Sequence, residues 1–83
     1  MIIIMDRNDE NYIYYVIGQN IKKQRKLKHL TQEQLAEKCN YSLSFIGNLE
    51  SPKVFQTISV GSLYHIAKVL DISILELFKD IDK

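Results

Sequence analysis

The sequence predicts an all-α fold, a compact domain of five short helices. Apolar residues recur at helical spacing along nearly the whole chain, and no segment sustains the alternation that is typical of a strand. Residues that commonly cap helices precede several of these apolar segments. With 83 residues, 46% of them hydrophobic and 25% charged, the chain has the composition of one globular domain. A core of this size is close to the smallest that is stable unaided, so we expect dimerisation to bury further apolar surface.

The first helix is expected to run from about Asn11, a residue that can cap a helix, to about Lys28. Its inward face is formed by apolar residues at helical spacing, namely Ile13, Val16, Ile17, Ile21 and Leu27. Gly18 interrupts this segment. Because glycine costs about 1 kcal/mol relative to alanine inside a helix, a start after Gly18 is left open.

The second helix has the clearest start. Thr31 and Gln34 match the capping box, in which each side chain binds the free backbone amide of the other residue. The helix is expected to continue to about Cys39. Asn40 follows it, and because asparagine tolerates a left-handed backbone, we expect a tight turn there.

Three further helices are predicted from their caps. Ser42 would cap a third helix over residues 43–49, and Ser59 would cap a fourth that ends near Leu70. Ser73 and Glu76 match a second capping box and predict a short fifth helix. With one proline and three scattered glycines, no segment has the composition of a linker, so residues 1–83 are interpreted as a single domain.

Cysteine and histidine usage excludes several classes of protein. Cys39 is the only cysteine, which excludes an internal disulfide and zinc motifs built on cysteine pairs. We interpret it as a small buried hydrophobe. His29 and His65 have no paired nucleophile, and there is no glycine-rich phosphate loop, so we do not expect an enzyme or a bound cofactor.

No membrane segment is predicted. The apolar run Met1-Ile2-Ile3-Ile4-Met5 is too short for a signal peptide and is followed directly by acidic residues. No stretch approaches the roughly 20 apolar residues of a membrane span. We therefore expect a cytoplasmic protein.

Positive charge is concentrated in the middle of the chain. The net charge is only +1, but residues 21–53 contain seven lysine and arginine residues against three glutamates, 7 − 3 = +4. This cluster is consistent with a surface for nucleic acid, although it is also what an ordinary solvated helix face would show.

Residues 30–50 carry a recognisable pattern. It begins Leu-Thr-Gln-Glu-x-Leu-Ala and continues through a turn before Ser42 to Ile46, Leu49 and Glu50. Matching features occur upstream at residues 17, 18 and 25 and downstream over residues 63–78. The chain therefore resembles the phage-repressor (Cro-like, Xre-type) helix-turn-helix family. This resemblance implies a lambda-repressor-like fold whose helix-turn-helix, residues 31–50, binds double-stranded DNA.

The resemblance also assigns roles to individual residues. The third helix would lie in the major groove, with base contacts from Leu43, Ser44 and Asn48. Contacts to the DNA backbone would come from Gln32, at the start of the second helix, from Ser42 and from Lys53. Two of these residues have simpler explanations that do not involve DNA. Gln32 would be a solvated residue at the start of a helix, and Ser42 would only cap the third helix. Arg25 and Glu50 are expected to form a structural ion pair that holds the third helix.

Three segments depart from the family pattern or lie beyond it. The loop of residues 51–58 is longer than usual, and its Lys53, Gln56 and Thr57 would touch phosphates unless Val54, Phe55 and Ile58 simply close the core. The N-terminal extension, residues 1–16, would lengthen the first helix, form a pairing segment or cover a partner subunit. Residues 72–83 are our preferred dimerisation segment, through Ile72, Leu75 and Phe78.

The function expected from these observations is a sequence-specific transcriptional regulator, most simply a dimeric repressor of a palindromic operator. A phage immunity repressor, a restriction-modification controller and an antitoxin are equally compatible with the sequence. A helical protein-interaction module without DNA is the alternative from another class, because a fold does not determine a function.

Overall fold

The computed structural model describes residues 8–82. They form four α-helices, α1 Tyr12–Leu27, α2 Gln32–Cys39, α3 Leu43–Glu50 and α4 Val60–Val69, followed by a 3₁₀ helix, Ile74–Phe78. The described part of the chain contains no strand, which confirms the predicted all-α class. The fifth helix exists as a 3₁₀ helix and not as an α-helix. The apolar residues Met1–Met5 lie outside the described residues.

The predicted caps of α2, α3 and α4 are confirmed. Thr31 Oγ1 accepts a hydrogen bond from the Gln34 amide at 3.0 Å, and Gln34 Oε1 accepts one from the Thr31 amide at 2.8 Å. Ser42 and Ser59 cap α3 and α4 in the same way. Asn40 adopts the left-handed conformation, with φ of 59°, and ends α2 as expected. These side chains satisfy amides that helix geometry leaves free.

The predicted cap at Asn11 is wrong, and the predicted capping box at Ser73 does not form. Asn11 makes no side-chain cap because its backbone is already helical, and Asp9 instead accepts a hydrogen bond from the Asn11 amide at 2.8 Å. Ser73 Oγ accepts from the Leu75 amide at 3.1 Å, as the tighter 3₁₀ turn requires, and Glu76 pairs with Lys79 at 2.8 Å.

The inward face of α1 follows the prediction except at its last member. Val16, Ile17 and Ile21 are buried, whereas Leu27 is 60% exposed. Leu27 comes six residues after Ile21, which places it on a different side of a helix with 3.6 residues per turn. The buried residue one turn beyond Ile21 is Arg25.

The core lies where α1, α2 and α3 meet, and α4 with the 3₁₀ helix closes it. Its largest fully buried apolar side chains are Ile21, Leu35, Ile46, Leu63, Ile66, Leu70 and Leu77. Ala36 and Cys39 are also buried, and burial raises the pKa of the Cys39 thiol, which keeps it protonated and unreactive. Among residues 8–82, no helix has the length and apolar character needed to cross a bilayer.

Gly18 lies inside α1 because α1 and α3 approach closely there. A β-carbon at Gly18 would overlap the carbonyl oxygen of Leu49 and lie 3.0 Å from its carbonyl carbon. Because α1 runs from Tyr12 to Leu27, the alternative that the first helix starts after Gly18 is wrong. The glycine is required by packing at the crossing, and its cost in helix propensity is offset by this close contact.

Candidate nucleic-acid interface

Helix α3 presents one uncharged face to solvent. Ile46, Leu49 and Glu50 are buried and define the inner side of the helix. Helical spacing groups Leu43 with Gly47 and Ser44 with Asn48, four residues apart in each pair, on the side of the helix next to the buried one. Leu43 and Ser44 are exposed, and Gly47 and Asn48 are half-buried. The structure therefore brings the three predicted base-contact residues onto one accessible face.

The start of α3 lies at one end of this face. Ser42 Oγ accepts a hydrogen bond from the Phe45 amide at 3.0 Å, so Ser42 serves as the cap. A hydroxyl that accepts one hydrogen bond still has its own hydrogen to donate. The cap is consequently compatible with a phosphate contact from the same oxygen.

The last residue of α3, Glu50, anchors that helix to α1 through a buried bidentate ion pair. Arg25 Nε lies 2.8 Å from Glu50 Oε2, and Arg25 Nη2 lies 2.8 Å from Oε1. The two side chains are 8% and 1% exposed. The hydrogen bond to Glu50 raises the pKa of Arg25, and burial acts in the opposite direction. Arg25 Nη1 also donates to the Leu30 carbonyl, at 2.6 Å, so every guanidinium nitrogen is bonded.

Two glutamines complete the anchor at Glu50. Gln32 Nε2 donates to Glu50 Oε1 at 3.1 Å, and Gln19 Nε2 donates to the Glu50 backbone carbonyl at 3.1 Å. Both the carboxylate and the C-terminal carbonyl of α3 are therefore held by neighbouring elements. The orientation of the exposed face is set by this network.

Gln32 occupies the first position of α2 beside α3. The side-chain nitrogen Nε2 of Gln32 donates to Glu50, and the residue is half-buried. The interpretation of Gln32 as a freely solvated glutamine is therefore wrong. The first backbone amides of a helix have no acceptor within the helix. The Thr31 hydroxyl accepts the hydrogen bond of the Gln34 backbone N–H. The backbone N–H groups of Gln32 and Glu33 come before it and point out of the end of the helix.

Sequence reasoning missed Gln19 and Asn20. Asn20 Nδ2 donates to the carbonyls of Leu77 and Lys79, both at 2.9 Å, and ties the 3₁₀ helix to α1. Gln19 and Asn20 follow Gly18 directly, but their side chains belong to no sequence motif that would predict these hydrogen bonds. Only the distant elements that they contact reveal their role.

The loop after α3 closes the core through Ile58 alone of the three apolar residues predicted to do so. Lys53 is exposed next to the end of α3, and Ile58 packs against the core. Val54 and Phe55 are exposed, so the expectation that they close the core is wrong. The Phe55 ring instead meets the Tyr14 ring edge-on, with centroids 5.8 Å apart. Phe55 pairs with Tyr14 because, from Tyr12 onward, the N-terminal extension lengthens α1.

The C-terminal segment carries an apolar surface away from α3. Leu75 is 70% exposed, whereas Ile72 and Phe78 are half-buried and pack against the core. Tyr64 of α4 lines a shallow depression together with Ile72 and Ile74. The predicted dimerisation residues are thus partly structural, and Leu75 is the most accessible of the three.

Neither histidine lies in a catalytic or metal-binding arrangement among residues 8–82. His65 Nε2 lies 2.9 Å from the Cys39 carbonyl oxygen, and its ring meets that of Tyr41 at 5.4 Å. His29 is exposed in the turn after α1. In residues 8–82, no cluster of histidine, cysteine and acidic side chains has the arrangement of a metal site.

Comparison with known proteins gives a consistent result. A helix-turn-helix family model matches residues 21–77, more than half of the chain. The restriction-modification controller protein C.AhdI from Aeromonas hydrophila is 31% identical; the match covers 78% of this chain and 96% of that one, with a TM-score of 0.71. The wild-type controller protein C.Esp1396I is 30% identical, with coverages of 84% and 88% and a TM-score of 0.72.

A hypothetical transcription factor, NHTF from Neisseria, is similar in fold only. It is 21% identical, the match covers 90% of this chain and 80% of that one, and the TM-score is 0.74. Among curated proteins, no significant match to the chain was found.

Proposed function

This chain belongs to the helix-turn-helix family of DNA-binding transcriptional regulators, and on that premise we propose that it acts as a cytoplasmic, homodimeric repressor of a palindromic operator. Of the three sub-types compatible with the sequence, we choose the restriction-modification controller, because two controller proteins are 30–31% identical to this chain over most of both lengths. The family is not enzymatic. Repression requires only that the bound dimer occupies DNA that polymerase would otherwise use.

The exposed, uncharged face of α3 is the observation that carries this proposal. A short helix fits into the major groove of B-DNA, where its first turns face the base edges. Asn48 would donate to and accept from adenine, Leu43 would pack on a thymine methyl group, and Ser44 would bind a base edge. Because the buried Glu50 anchor holds α3 at its far end, these side chains would approach the bases in one fixed orientation.

Contacts to the DNA backbone would position the helix. The outward-pointing amides at the start of α2, beside Gln32, suit a phosphate because the N-terminal end of a helix dipole favours an anion. The Gln32 side chain would then serve mainly to hold α3, through its bond to Glu50. Ser42 and Lys53 flank α3 at its two ends and would bind the phosphates on either side.

Asn48→Ala should relax one position of the operator. Sequences selected from a random duplex pool would give the wild-type operator, and the variant should lose discrimination there by about 1–3 kcal/mol. Lys53→Ala serves as the contrast. It should weaken binding to all sequences alike. The slope of log K against log salt concentration should fall by about 1, the amount expected for one lost phosphate contact. An unchanged selected site for Asn48→Ala would remove Asn48 from the base-reading residues.

Leu75→Lys should convert the dimer to a monomer, because it places a charge in the proposed apolar interface. Sedimentation equilibrium of the two proteins would measure this. Leu27→Lys is a matched control, since Leu27 is 60% exposed and Leu75 is 70% exposed, so neither change disturbs the core. A dimer that survives Leu75→Lys, or one that Leu27→Lys disrupts, would contradict this choice of surface.

Transcription in vitro from a promoter that contains the selected operator tests repression itself. We expect transcript levels to fall as the protein is added, and half-sites about 34–36 Å apart to be needed for the full effect. A rise in transcript would identify an activator instead.

A further inference from the structure

Gly47 lies in the middle of the exposed face of α3. It follows Ser44 by three residues and Leu43 by four, and it directly precedes Asn48. In a helix this spacing places Gly47 among the side chains that would read the bases. Gly47 itself has no side chain with which to read a base, so another reason for its presence is needed.

The fold does not require glycine at this position. A β-carbon on Gly47 would meet only the Oε1 atom of Gln32, at 3.7 Å, which is an ordinary van der Waals contact. The backbone has no positive φ there, so other residues could adopt the same conformation. Gly18 is the opposite case, since its β-carbon would overlap the backbone of Leu49. A glycine inside an eight-residue helix weakens that helix, and no protein atom requires the one at Gly47.

We infer that Gly47 is the point at which the backbone of α3 comes closest to DNA, and that its missing side chain sets how deeply the helix enters the major groove. This inference rests on the proposed function. Glycine is the residue that permits a close approach between a backbone and a ligand. Gly47 is then a positioning residue for base recognition, with no base contact of its own.

The side chains near Gly47 are consistent with α3 lying deep in the major groove. Ser44 has a single carbon between the backbone and its hydroxyl, so the hydroxyl reaches a base edge only if the helix backbone lies close to the bases. The β-carbon of a residue at position 47 would point towards Gln32, at the start of α2, where the DNA backbone is proposed to bind. Any side chain at position 47 would therefore enter the space between α3 and the phosphates.

Gly47→Ala and Gly61→Ala together test this inference. Gly61 lies in the first turn of α4, and no atom would lie within 4 Å of a β-carbon there. Both variants should melt above the wild-type protein, by about 4 °C where the full gain in helix propensity is realised. On the duplex selected by the wild-type protein, Gly61→Ala should bind as the wild type does. Gly47→Ala should bind about tenfold more weakly, as for one mismatched base pair, and Gly47→Gln more weakly still.

Each other outcome has a definite meaning. Wild-type affinity in Gly47→Ala would overturn the inference and leave the proposed function intact. A lower melting temperature for Gly47→Ala than for the wild type would show that the glycine serves folding, and would also overturn it. If the wild-type protein selected no duplex, the proposed function would fail, and this inference with it.

Discussion

Replacing Glu50 with alanine is expected to lower the free energy of unfolding by about 3–5 kcal/mol, the usual cost of removing one partner of a buried ion pair. The change leaves the Arg25 guanidinium buried without its carboxylate, and it also deprives Gln32 Nε2 of its acceptor. The hydrogen bond from Gln19 to the Glu50 carbonyl survives, but it cannot compensate for a buried charge.

Urea unfolding monitored by circular dichroism would measure the effect of Glu50→Ala. The second ion pair supplies the control, because it lies at the surface, with 59% of the Lys79 side chain and 35% of the Glu76 side chain accessible. Glu76→Ala should therefore change stability far less than Glu50→Ala does, because solvent screens a surface pair. Equal effects of the two substitutions would show that the Glu50 pair contributes no more than a surface pair.

The pH dependence of this pair follows from the direction of its pKa shift. Hydrogen bonding to Glu50 raises the pKa of Arg25 above that of the unfolded chain. A raised pKa contributes stability that is present below the unfolded value and is lost only as the pH rises through the folded value. Since arginine is protonated at all ordinary pH values, deprotonation of Arg25 does not weaken the pair under neutral or mildly alkaline conditions.

Gly18→Ala is expected to destabilise the protein by about 3 kcal/mol, at the upper end of the usual range for overpacking. Alanine normally stabilises a helix relative to glycine, so the predicted sign is reversed. The reason is that the new methyl group would overlap the carbonyl of Leu49, and neither backbone can yield without separating α1 from α3. That separation would also stretch the contacts of Gln19 and Arg25 with Glu50.

Gly61→Ala provides the same substitution without the overlap, and it should stabilise α4 slightly. Thermal melts of the two variants should therefore shift in opposite directions. If Gly18→Ala were to melt at or above the wild-type temperature, α1 and α3 would not be in close contact at this point.

Signals that act within a few residues predicted the structure well. The Thr31–Gln34 capping box, the left-handed Asn40 and the caps at Ser42 and Ser59 each involve a side chain and a backbone no more than three residues away. Such interactions need no contact with a distant element of the fold. Two predictions failed, the cap at Asn11 and the capping box of Ser73 with Glu76. Both depend on the course of the adjoining backbone, which packing against other elements decides.

In the candidate site, too, some features could be predicted from the sequence and others could not. The family resemblance indicated which side of α3 faces outward and which residues anchor it, because helical periodicity and the spacing of the motif are properties of the sequence alone. No sequence pattern predicts that Gln32 contacts Glu50, 18 residues away, or that Gln19 contacts it across 31 residues.

The helical class, the main caps and the exposed face of α3 can be predicted from the residues alone, because they follow from local periodicity and short-range hydrogen bonds. Other features become visible only when the helices are packed together: Gly18 is required and Gly47 is not, Leu27 is exposed, and four side-chain hydrogen bonds converge on Glu50. These features depend on how closely distant helices approach one another. That distance is set by the packing of the whole core and is not encoded in any one segment.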